Sequence, residues 1–164
     1  MYLGSHELVE FYNCDEDILK DSDLIKKIFI ESAKLGNANI VNSLFHSFSP
    51  YGVTGVLVIA ESHMSIHTWH EFNYCAVDIF SCCDKLNNKI VLEDLKDKLF
   101  SSRYESTLIN RGNKYIIEQS ANKKLTNKQK SVIKFLKSNQ VENKNSLQII
   151  KKIALGHPEI KFSY

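Results

Sequence analysis

Three residues able to do covalent or proton-transfer chemistry fall close together: Ser62 directly after Glu61, His67 five residues on, and Cys82 twenty residues after the serine. A hydroxyl attacks carbonyls once a base takes its proton, and an imidazole exchanges protons near neutrality. Each type also has an ordinary structural use. A serine at a strand end makes turns, a strand histidine packs or hydrogen-bonds, and a cysteine fills small apolar space. Metal binding is the competing chemistry. His63, His67 and His70 stand at i, i+4 and i+7, which on a helix would put three imidazoles on one face. Ile66, Thr68 and Trp69 favour a strand instead, where His63 and His67 share a face and His70 takes the other. No metal site is expected.

The elements that must position these residues follow from hydrophobic period and turn signals. Leu3 to Phe11 reads as a first strand. Ser22 is an expected N-cap for a helix through Leu35, ended by Gly36, with Leu24, Ile25, Ile28, Phe29 and Ala33 as its packing stripe. Asn39 to Phe48 reads as a strand and Ser49-Pro50-Tyr51-Gly52 as a turn. Val56-Leu57-Val58-Ile59-Ala60 has the composition of a buried central strand. From Met64 to Trp69 the pattern alternates: Met64, Ile66 and Thr68 point one way, Ser65, His67 and Trp69 the other. Glu61-Ser62-His63 therefore sits at a bend between two strands.

A turn at 70–73 leads to a strand from Tyr74 to Phe80. A helix over Leu92–Phe100 follows, then a strand over Arg103–Asn110 with its turn at Arg111-Gly112. This order predicts an α+β fold, a two-layer sandwich of antiparallel sheet with helices on one face. A helical C-terminal extension completes it, one helix capped by Thr126 and running to Lys137, another from Ser146 to Gly156.

The 164 residues, 43% hydrophobic and 24% charged, suit one compact domain. No long charge-free apolar run and no basic-then-apolar start is present, so a soluble, cytoplasmic protein is expected. The net charge of +2 implies no polyanionic partner, but it is unevenly spread. Residues 1–111 carry 10 basic and 16 acidic residues, whereas 112–164 carry 11 Lys and 3 Glu. A solvated helical appendage is the plain reading, and a non-enzymatic module binding RNA or an acidic surface through this tail is the alternative. Cys14, Cys75, Cys82 and Cys83 lack the paired CxxC spacing of a zinc site, and adjacent cysteines close a strained ring. All four are expected as reduced thiols.

Three strings then carry a specific resemblance: Phe45 through Val56, Glu61-Ser62-His63-Met64-Ser65-Ile66-His67-Thr68-Trp69, and Ala76 through Cys82. In order and spacing they resemble the prokaryotic S-adenosylmethionine decarboxylase proenzyme family, from about Leu3 to Tyr115. The resemblance implies a pyruvoyl-dependent decarboxylase domain over 1–115, self-cleaved between Glu61 and Ser62; it does not reach 116–164, which is left as a Lys-rich, helical extension of unknown role. It further implies that Ser62 becomes a covalently bound pyruvoyl group that forms a Schiff base with substrate. His67 matches the family's proton acceptor in processing, and Cys82 its proton donor in decarboxylation. Thr54 stands at the position of a processing helper, and Phe48 and Glu71 at substrate-binding positions.

The implied reaction converts S-adenosylmethionine to S-adenosylmethioninamine, the aminopropyl donor of spermidine biosynthesis, and carbon dioxide. The implied assembly is a dimer of α/β heterodimers cut from one precursor. Four positions depart from the family pattern: Thr54 where Ser is common, His70 for an expected Pro, Phe72 for a usual Tyr, and Cys83 for an expected Gly. The altered His70-Glu71-Phe72 segment keeps open the same chemistry on another amino acid, arginine or ornithine.

Overall fold

The computed structural model describes residues 1–48 and 52–121, together with 127, 130, 131 and 134. Six strands form one sheet: β1 (Tyr2–Tyr12), β2 (Ile40–Ser47), β3 (Val53–Ile59), β4 (Ser62–Trp69), β5 (Tyr74–Ser81) and β6 (Arg103–Asn113). Their order is β2-β3-β4-β5-β1-β6, and every neighbouring pair is antiparallel. Among the described residues, four bounded α-helices accompany them: α1 (Glu16–Lys20), α2 (Ser22–Leu35), α3 (Asn88–Lys98) and α4 (Lys114–Ala121). The chain divides into two compact units, Met1–Gln119 and Ser120–Tyr164. No helix among the described residues is long and apolar enough to cross a membrane.

The period-two pattern decides which side of the sheet is dry. Met64, Ile66 and Thr68 of β4 are buried, as are Leu57 and Ile59 of β3, Val77 and Ile79 of β5, and Val9 and Phe11 of β1. They share one core with Ile25, Phe29 and Ala33 of α2 and Val91, Leu92 and Leu95 of α3. The α+β two-layer architecture read from the sequence is therefore the one observed. Ser65, His67 and Trp69 lie on the opposite face with Thr54, Asp78 and Phe80, and all six are only half-buried. No helix covers that face among the described residues.

Several boundaries differ from expectation for local reasons. Asp21, not Ser22, caps α2: its carboxylate accepts from the N–H groups of Asp23 and Leu24, each at 3.0 Å. Helix α3 begins at Asn88 because the Asn87 side chain accepts from Ile90 N–H at 3.2 Å, and it ends before Phe100, whose φ is +52°. Strand β6 passes through the expected Arg111-Gly112 turn, held by its ladder to β1 as far as Tyr2↔Asn113. Helix α1, five residues capped by Asp15, is too short to leave a periodic signal. The expected turn at 49–52 lies outside the described residues except for Gly52. Of the two C-terminal helices, only 127, 130, 131 and 134 are described, all helical.

Candidate active site

The hairpin joining β3 to β4 is a two-residue loop, Ala60-Glu61, closed by the pair Ile59↔Ser62. Loops of this length ordinarily place one or both central residues at positive φ, usually with Asn or Gly. Here, among the described residues, the positive φ falls on Ser62 instead, at +148°. A non-glycine residue held there stores backbone strain, and only an over-determined surrounding keeps it in place.

That surrounding is visible. The carbonyl oxygen of Glu61 accepts from Cys82 N–H at 3.0 Å, and Ala60 N–H donates to the Asn39 carbonyl at 2.8 Å. The Glu61 side chain is buried, its carboxylate accepting from Asn39 N–H at 3.1 Å and from the Asn39 side-chain amide at 2.7 Å. Burial alone would push the Glu61 carboxyl up. The two bonds from Asn39, with the charge of Lys85, overcome it and hold the carboxyl below its ordinary range.

Ser62 pairs with Ser81 across β4 and β5, so Cys82 follows directly beside the serine. The Ser81 hydroxyl donates to the Cys83 carbonyl at 2.7 Å and accepts from Cys83 N–H at 3.3 Å, fixing the backbone on which Cys82 sits. Both Cys82 and Cys83 are exposed free thiols lining a groove of about 350 Å³ against Gly4 and Ser5. The Ser62 hydroxyl lies 3.2 Å from Nδ1 of His63, close enough for that ring to take its proton.

A second cluster occupies the far end of the same strands. Thr54 Oγ1 and His67 Nδ1 are 2.5 Å apart across β3 and β4. The His67 ring lies 4.0 Å from the Trp69 ring and 6.0 Å from Phe48. Burial lowers the His67 pKa, partly countered by the charge of Glu71. Glu71 is exposed on a 3₁₀ turn, His70–Phe72. Gly52, at φ +69°, lies close against β4, where a Cβ would meet the Thr68 carbonyl oxygen at 2.1 Å.

The expected residues thus fall into two groups. Glu61, Ser62 and Cys82 come together at one end, and Thr54, His67, Phe48 and Glu71 at the other. Five positions along a strand span about 16 Å, so within one chain His67 does not reach Ser62. The three imidazoles do not converge either. His63 stacks on Phe80, His67 pairs with Thr54, and His70 lies near Glu16. Among the described residues, no three His, Cys, Asp or Glu side chains gather as a metal site would need. Sequence reasoning gave no place to Asn39 or to the Cys82 N–H, and weighed His63 only as a metal ligand. Only His63, next to the serine, carried a signal that reading could have used.

Comparison with known proteins supplies the context for this geometry. Residues 5–112 match the family model described as S-adenosylmethionine decarboxylase. A proenzyme of that name from Clostridium kluyveri is 42% identical over 125 residues, covering 76% of this chain and 97% of the relative. One from Thermodesulfovibrio yellowstonii is 46% identical over 91 residues, 56% of this chain and 67% of its own. The crystal structure of the adenosylmethionine decarboxylase from Aquifex aeolicus superposes with a TM-score of 0.63 at 31% identity. It covers 68% of this chain and 92% of the other.

Proposed function

The chain belongs to the S-adenosylmethionine decarboxylase family, and on that premise we propose an enzyme that cuts itself between Glu61 and Ser62 and then decarboxylates S-adenosylmethionine. The products are S-adenosylmethioninamine, an aminopropyl donor for spermidine synthesis, and carbon dioxide. The observation that carries this reading is the strained Ser62, at φ +148°, following a carbonyl already held by a backbone donor.

The cut begins when Ser62 Oγ attacks the Glu61 carbonyl carbon while His63 Nδ1 accepts the hydroxyl proton. Negative charge develops on the oxygen that the Cys82 N–H already faces, a preorganised donor of the kind that stabilises such oxyanions. Breaking the C–N bond returns a proton to the released amine and leaves an ester; relief of the strain at Ser62 favours this step. A base then removes the Ser62 α-proton, the Glu61 carboxylate departs, and residue 62 becomes dehydroalanine. Tautomerisation and hydrolytic loss of ammonia leave a pyruvoyl group at the head of residues 62–164. Glu61 ends the other chain.

His67 suits the role of that base, since burial keeps its imidazole unprotonated near neutrality and Thr54 orients it. The 16 Å span along β4 then requires His67 to come from a second copy. The sheet face that no described helix covers supports this. Two such faces stacked about 10 Å apart around a two-fold axis lay the His67 end of one strand over the Ser62 end of the other. The assembly is a dimer of cleaved pairs.

The pyruvoyl carbonyl supplies an electron sink for the electrons left behind as carbon dioxide departs. Cys82 Sγ, an exposed thiol beside Ser62, holds the proton delivered to the substrate carbon. Phe48 offers its ring to the adenine or the sulfonium, and Glu71 accepts from the ribose hydroxyls. This chemistry is assigned to residues 1–115, with 116–164 as an appendage. The exposed thiol pair suits a reducing cytoplasm.

An intact mass spectrum of the purified protein tests the cleavage. Two species are expected, residues 1–61 and a pyruvoyl-headed 62–164, and Ser62→Ala is expected to remain one uncut chain. Only full-length protein from folded wild-type material sinks the proposal. Carbon dioxide release from labelled S-adenosylmethionine, but not from labelled arginine or ornithine, tests the substrate.

A further inference from the structure

Glu61 is gripped at two points. Its carbonyl oxygen is held from the β5 side by Cys82 N–H, and its carboxylate is held from the β2 side by Asn39. We propose that Asn39 is a positioning residue for self-cleavage, its two-point clamp on the Glu61 carboxylate keeping the scissile bond in reactive geometry. The inference rests on the reading of Glu61-Ser62 as the bond that is cut.

The clamp is not needed to close the hairpin. The pairs Ile40↔Ile59 and Ile59↔Ser62, with Ala60 N–H on the Asn39 carbonyl, already fasten it. What the Asn39 amide groups add is control of one side chain. A buried carboxylate is costly unless its oxygens are satisfied, and here Asn39 satisfies both. With the carbonyl oxygen and the side chain of residue 61 both fixed, the mismatch of the two-residue loop is forced onto Ser62, where φ is +148°. Loss of the side-chain amide leaves the carboxylate only the N–H of residue 39, so residue 61 gains room to rotate and Ser62 to relax towards an ordinary extended φ. Its hydroxyl then loses its line to the carbonyl carbon. Asn39 itself is exposed, so its truncation removes no core packing.

The experiment follows cleavage of freshly made full-length precursor for wild type, Asn39→Ala and Asn39→Asp, with thermal unfolding in parallel. Asn39→Ala is expected to cut about 10- to 100-fold more slowly, the scale on which a small misplacement of reacting groups acts, while unfolding within a few degrees of wild type. Hydroxylamine splits an ester at Glu61 by attacking its carbonyl and freeing the Ser62 hydroxyl. It is expected to release residues 1–61 from His67→Ala, stalled after the ester forms, and none from Asn39→Ala, stalled before. Asn39→Asp sets two carboxylates together, with Lys85 the cation facing Glu61. Its cleavage rate relative to Asn39→Ala is expected to rise as pH falls, because one protonated carboxyl can donate to the other.

Wild-type speed in Asn39→Ala, an ester-derived fragment from that variant, or a flat Asp-to-Ala ratio with pH overturns the inference. If Asn39→Ala unfolds far below wild type, the pH trend of the ratio decides. A wild-type chain that never cuts overturns the underlying reading instead.

Discussion

The N–H of Cys82 stands 3.0 Å from the carbonyl oxygen of Glu61. Under the proposed self-cleavage one residue would serve two consecutive reactions, its backbone facing the Glu61 carbonyl and its thiol lining the groove beside Ser62. The two contributions separate by mutation, because a side-chain change leaves the N–H in place.

Cys82→Ser is expected to cleave at near the wild-type rate and to decarboxylate about 10²- to 10³-fold more slowly, the range for loss of a positioned proton donor. Cys83→Ser is expected to do both normally. Mass spectrometry and labelled carbon dioxide release report the two steps. Full turnover by Cys82→Ser moves the donor role elsewhere, and failure to cut shows that the thiol also serves the first step.

Mixing tests the shared site. Ser62→Ala and His67→Ala are each expected to stay uncut alone. Coexpressed, they form mixed dimers in which the His67→Ala copy meets an intact His67 from its neighbour, and that copy is expected to be cut. Distinct tags on the two chains identify which one is cleaved. A mixture that remains wholly uncut, although mixed dimers are present, excludes a base supplied between copies.

Burial favours neutral His67, so its pKa in the folded protein lies below the ordinary 6.5 despite the opposing charge of Glu71. In the window just below pH 6.5 the unfolded chain binds this proton and the folded chain does not. The stability contributed by His67 is thus complete above about 6.5 and declines as pH falls towards the folded value. Cleavage is expected to follow the same group, rising with pH to a plateau whose midpoint lies below 6.5. Rates measured from pH 5 to 8 check it; a midpoint above 6.5 contradicts the assignment.

Gly52→Ala places a Cβ 2.1 Å from the Thr68 carbonyl oxygen and asks alanine to adopt φ +69°. Backbone must move, at a cost of about 1–3 kcal/mol for the dihedral alone. The displaced strand is the one carrying His67, so slower cleavage is expected together with a lower unfolding temperature. An unchanged unfolding temperature shows that the loop yields freely.

Alkylation separates the thiols. Burial pushes Cys14 up to about 11 and Cys75 well above its ordinary value. Iodoacetamide at pH 8 is expected to label Cys82 and Cys83 in the native protein and to spare the other two, as peptide mapping can show. Labelling of Cys14 or Cys75 without denaturant contradicts the packing.

What the sequence by itself determined is what neighbouring residues decide among themselves. Alternation over Met64–Trp69 assigned His67 to the face opposite Met64 and Ile66, because a pleated strand turns successive side chains to opposite sides. The apolar stripe from Leu24 to Ala33 marked the face of α2 that packs, and the string around Glu61-Ser62 carried the family resemblance. Caps were read less well, since Asp21 and Ser22 are both good candidates and only the backbone shows which one is still extended.

Tertiary structure alone decided how distant segments meet. Asn39 and Glu61 are 22 residues apart, and Cys82 is 21 beyond Glu61; no local period relates them. Their hydrogen bonds exist because antiparallel register aligns the end of β5 and the start of β2 with one hairpin loop. The same physics reverses an impression of closeness. Ser62 and His67, five residues apart on paper, are held at opposite ends of a rigid strand, because an extended backbone advances about 3.3 Å with every residue.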